Sequence, residues 1–339
     1  MSRRRDPAGN RGEGVRNLQD VVEWEPESRI DRLIYRLYLL VVPTARGLLV
    51  AVALLILLAQ FALGGLGALA DPVVGAVVVL SALPALVLVG YIRYADVTPP
   101  EPLRLLVGTF ALGLLFAGFA GLLNELLSQP AASALIDFGV SPAVALAFVF
   151  ILIVAPVEES VKLLAVRLYP FSKPGFNAVI SGAVYGAAAG FGFATIENAI
   201  YITQFADTAG TVTDALAQSS SIATQRALAG PGHVIYSAFA GYYLGLAKFN
   251  GQYAGPIVFK GLLVASVLHG SYNVLVSHAP DVLTALLGFS EFASLLTFVI
   301  AYNGVFTLVL IRKLSIYRAA YRRARRSESR IQSERTEFE

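Results

Sequence analysis

The chain has 339 residues, of which 56% are hydrophobic and only 14% charged, with a formal net charge of +3. This departs far from the make-up of a water-soluble domain, and the absence of cysteine excludes a disulfide framework, a thiolate nucleophile and a thiolate zinc site. The basic residues gather in the tails and in alternate loops, so the expected non-protein partner is membrane lipid and not nucleic acid.

Residues 1–46 read as a basic cytoplasmic tail. The Arg3–Arg5 run has no apolar core close behind it, so neither a twin-arginine signal nor a cleavable signal peptide is expected. Within the tail, Ile30, Leu33, Ile34 and Leu37 recur at helical spacing opposite Arg32 and Arg36, which predicts a membrane-surface helix ended by Pro43. Eight apolar segments follow, roughly 47–70, 73–91, 103–126, 142–168, 178–204, 232–248, 256–277 and 291–311. Most approach the ~20 residues a helix needs to cross a bilayer, and backbone amides in hydrocarbon must bond internally. The expected fold is an all-α, polytopic integral membrane helix bundle with about eight transmembrane helices over 47–311. Residues 312–339 form a second basic tail, helical at its start. Connections rich in Arg and Lys alternate with connections carrying Asp71, Asp137, Asp207 and Asp281, which places both termini in the cytoplasm. The long stretch 206–230, rich in Thr, Ser and Asp, is expected as an external loop or surface segment above the site.

Four polar stations interrupt the apolar spans. The first is Glu158-Glu159-Ser160-Val161-Lys162. An ionised group at the bilayer centre costs on the order of 3 kcal/mol on insertion scales, so a paired carboxylate calls for a protein-lined, hydrated cavity. Lys162 can reach either carboxylate along the helix, but the two lie about 100° apart around the axis, so one acts and the other orients. The second station is Glu197 with Tyr201, preceded by Gly182, Gly186 and Gly190 at the spacing that lets helices approach closely. His233, with Ser237 a turn later, is the third. His269 and Asn273 on one face are the fourth. Taken singly, each has a plainer reading as interhelical hydrogen bonding. Four such helices in succession, bounded by 142–277, point to one site. By depth, Glu158 and His269 fall near mid-membrane and Glu197 and His233 toward the outer side, so convergence requires tilted helices.

These stations resemble the motifs of PrsW-type bacterial intramembrane proteases, relatives of the broader CAAX prenyl protease group. A Glu-Glu-x-x-Lys motif is matched by Glu158, Glu159 and Lys162. Phe-Glu-x-x-x-Tyr is matched at Glu197 and Tyr201, with Ile196 in place of Phe. His-x-x-x-His is matched at His233 only, since Ser237 replaces the second His, and a His-x-x-x-Asn station is met by His269 and Asn273. The resemblance implies a multi-pass protein of the bacterial cytoplasmic membrane that cleaves a membrane-anchored protein in or near its transmembrane segment. An anti-sigma-factor-like substrate is implied by the resemblance alone.

Peptide hydrolysis needs an activated water, an oxyanion stabiliser and an acid for the leaving amine. Two schemes use the same catalytic set, Glu158, Glu159, Glu197, His233 and His269, supported by Lys162, Tyr201 and Asn273. In one, Glu159, Glu197, His233 and His269 hold a zinc ion. In the other there is no metal, and a buried glutamate deprotonates water directly. The rival classes are an ion-coupled membrane transporter, with the glutamates as proton relay, and an inactive scaffold that binds other membrane helices.

Overall fold

The computed structural model describes residues 28–62, 66–206 and 212–336; the basic stretch 1–27, with the Arg3–Arg5 run, lies outside them. The described residues form helices and no strand. The chain up to Val52 and the chain from Ala53 onward are two compact units, and every site residue belongs to the second.

Helix α1 runs over Arg29–Ala62 and passes through Pro43 instead of ending there. The imide nitrogen leaves the Leu39 carbonyl without its helical donor, and Thr44 Oγ1 adds a bond to the next carbonyl, Leu40 O, at 2.6 Å. An unbroken helix also keeps the remaining backbone groups bonded where water is scarce. Ile30, Leu33, Ile34 and Leu37 are all exposed. Helix α2 (Pro72–Tyr94) starts at Asp71, whose carboxylate accepts from Val73 N and Val74 N; Pro in the first turn needs no N–H there.

Helix α3 covers Leu103–Asp137. The next path is broken into α4 (Pro142–Val149), a π-helical turn (Phe150–Val154) and α5 (Ala155–Leu168). Then come α6 (Val179–Ala206), α7 (Val212–Lys248), α8 (Ala254–Val276), the short α9 (Ala279–Leu287) closed by left-handed Gly288, and α10 (Glu291–Thr336).

Seven of these paths are long and apolar enough to cross a membrane: α1, α2, α3, α4 through α5, α6, α8 and α10. The remaining expected span, 232–248, lies inside α7, where polar side chains dilute the apolar ones. Large apolar side chains such as Val87 on α2, Val107 on α3, Phe259 on α8 and Leu308 on α10 stand exposed, as lipid-facing surfaces require.

Helix α6 is the most enclosed span and pairs along its length with α7. Glycine permits that approach. A methyl group on Gly186 or Gly190 would run into the main-chain carbonyl of Ser237 or His233 on α7.

One expectation is corrected. Residues 212–230 are not a loop but the first half of α7, and residues 207–211 lie outside the described set. Ala, Leu, Gln and Arg dominate that half, and their helix propensity outweighs the Thr and Ser content.

Candidate active site

Five helices bring polar side chains to one point. The π turn and Pro156 precede the acidic pair on α5, a local loosening often found beside functional sites. Gly270 on α8 packs directly against Phe150 and Ile151 of that turn, which brings the neighbouring His269 up to α5. The close α6–α7 pairing does the same for Glu197 and His233. All five expected catalytic residues therefore meet.

The two neighbouring glutamates have different surroundings. Glu159 is fully buried. Its Oε1 accepts from Lys162 Nζ at 2.7 Å and faces His269 Nδ1 at 3.0 Å, while Oε2 accepts from Ser237 Oγ at 3.2 Å. Glu158 faces the cavity. Its Oε1 accepts from Asn124 Nδ2 of α3 at 3.1 Å, and Oε2 lies 3.5 Å from Lys162 Nζ and 3.7 Å from His269 Nε2.

Lys162 is the hub, only 1% exposed. Its ammonium also lies 2.9 Å from His233 Nδ1 and over the Phe193 ring at 4.1 Å. The other ring nitrogen of His233, Nε2, lies 2.8 Å from Glu197 Oε2. In His269, Nδ1–H donates to the Glu159 carboxylate, and the Nε2 lone pair looks toward Glu158. Tyr236 stacks on the His269 ring at 5.4 Å and donates its hydroxyl to Asn303.

A cavity of about 190 Å³ opens on this cluster, walled by Glu158, Glu197, Arg226, His233 and His269 with Phe150 and Tyr272. Asn273 lines it too. Tyr201 is 41% exposed, and its ring lies under the Arg226 guanidinium at 4.5 Å. His278 occupies the position just before α9 and does not line the cavity.

Among the described residues one group is compact enough to hold a metal: single ligand atoms of Glu158, His233 and His269 lie within 4.8 Å of one another, all three buried. The expected ligand set was Glu159, Glu197, His233 and His269. The two histidines are in the compact group, but Glu158 takes the place assigned to Glu159, whose oxygens are engaged behind His269. Glu197 stands beside His233 and outside that group. The donor set fits a divalent ion. An imidazole whose Nδ1–H is tied to a carboxylate offers Nε2 as a ligand, and three carboxylates against two fixed cations, Lys162 and Arg226, leave negative charge for a cation to neutralise.

Sequence reasoning missed Asn124, Asn198, Phe193 and Arg226 as site residues. Arg226 donates from Nη2 to Glu197 Oε2 at 2.6 Å and from Nε to Asn198 Oδ1 at 3.1 Å. Its signal was present as a lone basic residue in a connection flanked by acidic ones.

A family model described as PrsW family intramembrane metalloprotease matches residues 101–305. Among curated relatives, a protein named Protease PrsW from Shouchella clausii is 25% identical over 219 residues, covering 62% of this chain and 89% of the relative. The Geobacillus kaustophilus protein of that name is 29% identical over 200 residues, covering 57% and 76%. The one from Clostridioides difficile is 28% identical over 205 residues, covering 58% and 77%. No solved structure matches the chain.

Proposed function

Since the chain belongs to the PrsW family of intramembrane metalloproteases, we propose that it hydrolyses a peptide bond of a membrane-anchored protein with zinc held by Glu158, His233 and His269. The observation that carries this reading is the buried trio drawn from three helices, with the Nδ1–H of His269 tied to Glu159. Two imidazoles and one carboxylate are a set that suits Zn²⁺ with a position left open. Bound there, the metal would lower the pKa of water toward ~7 and polarise the scissile carbonyl.

The chain's own groups supply the rest. Glu197 lines the cavity next to His233, so it accepts the proton of the attacking water. The water oxygen bonds to the carbonyl carbon. As the C–N bond breaks, Glu197 returns the proton to the leaving amine. Glu159 and Lys162 keep the His269 and His233 rings in place, Asn124 steadies Glu158, and the walls of Phe150 and Tyr272 limit bulk water.

The basic connections support a placement with both termini in the cytoplasm of a bacterial cell, and an anti-sigma-factor-like protein is the proposed substrate class. The test is cleavage of a single-span reporter by the purified protein in detergent. Chelation should abolish cleavage and zinc should restore it, and Glu197→Gln and the His233→Ala, His269→Ala pair should be inactive. Full cleavage by the double histidine variant would overturn the proposal, and ion flux without cleavage would support the carrier reading.

A further inference from the structure

Glu197 is gripped on one oxygen only. Oε2 meets His233 Nε2 at 2.8 Å and Arg226 Nη2 at 2.6 Å, while Oε1 meets no donor among the described residues. Arg226 is itself immobilised. Its Nε donates to Asn198 Oδ1 at 3.1 Å and its plane lies over the Tyr201 ring. Asn198 is fully buried and donates from Nδ2 to Ser81 Oγ on α2 at 3.0 Å. A polar chain therefore runs from α2 through α6 and α7 to one carboxylate oxygen at the cavity.

A charged fork with its nitrogens assigned to two acceptors fixes direction as well as charge. A glutamate beside a divalent cation has another option, to turn a carboxylate oxygen onto the metal as a ligand. We propose that Arg226 is a positioning residue that reserves Glu197 for water, by pinning Oε2 and leaving Oε1 as the oxygen that meets the nucleophile. Asn198 and Ser81 hold Arg226 in that pose. This inference rests on the reading of Glu197 as proton acceptor.

The two nitrogens have separable roles. Lysine at 226 keeps a positive charge but loses the Nε contact to Asn198, so it tests orientation apart from charge. Asn198→Ala leaves the arginine in place and removes only its support.

The experiment compares Arg226→Ala, Arg226→Lys, Asn198→Ala and Glu197→Gln in the full-length zinc-loaded protein, with three readouts. These are kcat and KM on the single-span reporter, zinc affinity by competition with a chromophoric chelator, and recovery of Arg226→Ala on adding methylguanidinium. Misplacing a reacting group by about an ångström costs on the order of 100-fold. Arg226→Ala should accordingly lose about that much kcat with KM within about threefold, bind zinc at least as tightly as the parent, and regain activity with methylguanidinium. Arg226→Lys and Asn198→Ala should each lose about tenfold, and they decide the matter if the alanine variant fails to fold. Parent-like kcat in the Arg226 variants beside an inactive Glu197→Gln would overturn the inference and leave the proposed function standing, as would a parallel loss of zinc affinity. An active Glu197→Gln would remove the reading beneath it.

Discussion

A Glu159→Gln substitution keeps the side chain's shape and removes its charge. The amide oxygen can still accept from Lys162 Nζ and His269 Nδ1 at the position of Oε1, and the amide nitrogen can turn to Ser237 Oγ, which now accepts. Geometry survives while His269 loses its anionic partner. Such partners are worth roughly 10–100-fold in metal affinity, or about 1.4–2.7 kcal/mol at ~1.36 kcal/mol per decade. Lys162 still has Glu158 at 3.5 Å, so the fold should hold. Glu159→Ala removes the acceptor itself, leaving the buried ammonium with a distant carboxylate and an imidazole; breaking a buried pair costs about 3–5 kcal/mol. The expected order is therefore loss of zinc affinity without loss of thermal stability for Gln, and loss of both for Ala. Glu158→Gln should weaken zinc binding well beyond Glu159→Gln, because it alters a proposed ligand. Chelator competition and thermal unfolding in detergent read both quantities. Equal loss of affinity in Glu158→Gln and Glu159→Gln would assign Glu159 to the metal and refute the division of roles.

Glu101, between α2 and α3, is 1% exposed and lies against the Asp96 carboxyl and the Ser181 side chain. Burial, followed by the neighbouring Asp96 carboxyl, pushes its pKa up from 4.5 to about 8. The native chain thus keeps a proton that the unfolded chain releases, so stability falls as pH rises from about 4.5 through about 8 and levels off above. Glu101→Gln should flatten that slope in thermal scans; an unchanged slope would exclude Glu101 as its source. Gly186→Ala sets a methyl against the Ser237 carbonyl and should cost about 1–3 kcal/mol as overpacking, lowering the melting temperature and cleavage together. Unchanged values would show that α6 and α7 can separate freely. Reporter fusions at Asp137 and Asp281 should signal the outer face, and one at Val97 the cytoplasm; the reverse pattern would invert the proposed orientation.

The helices and the four polar stations were legible because each ionisable group in an apolar run is costly enough to need a reason. Glu158, Glu197, His233 and His269 stood out on that ground, and their meeting was expected despite unequal depths. The roles of Glu158 and Glu159 were not legible. Adjacent residues point about 100° apart, and only Asn124 from α3 and the histidines of α7 and α8 decide which one faces the cavity. Arg226 was hidden for a different reason. The composition of 206–230 is that of an exposed connection, and its helical state depends on α7 continuing through Pro231. Pro43 misled in the same way, since a proline ends a helix in water more readily than where no solvent can take the freed carbonyl.

The π turn at Phe150–Val154 sets the phase of everything after it. A π turn accommodates one residue more than the same length of α-helix, so it rotates the acidic pair relative to α4 by about 100°. Regularising the turn to α-helix with no change in residue number would swing Glu158 and Glu159 off their present bearings, although no active-site side chain had been changed, whereas deleting one residue along with the turn would return the pair near its present phase. Gly270 of α8 rests against that turn, so His269 is gauged from the same irregular stretch of backbone. Residue number at this point therefore matters as well as identity: an added residue within 150–154, which shifts the pair by about 100°, should be far less tolerated than conservative apolar replacements at the same positions.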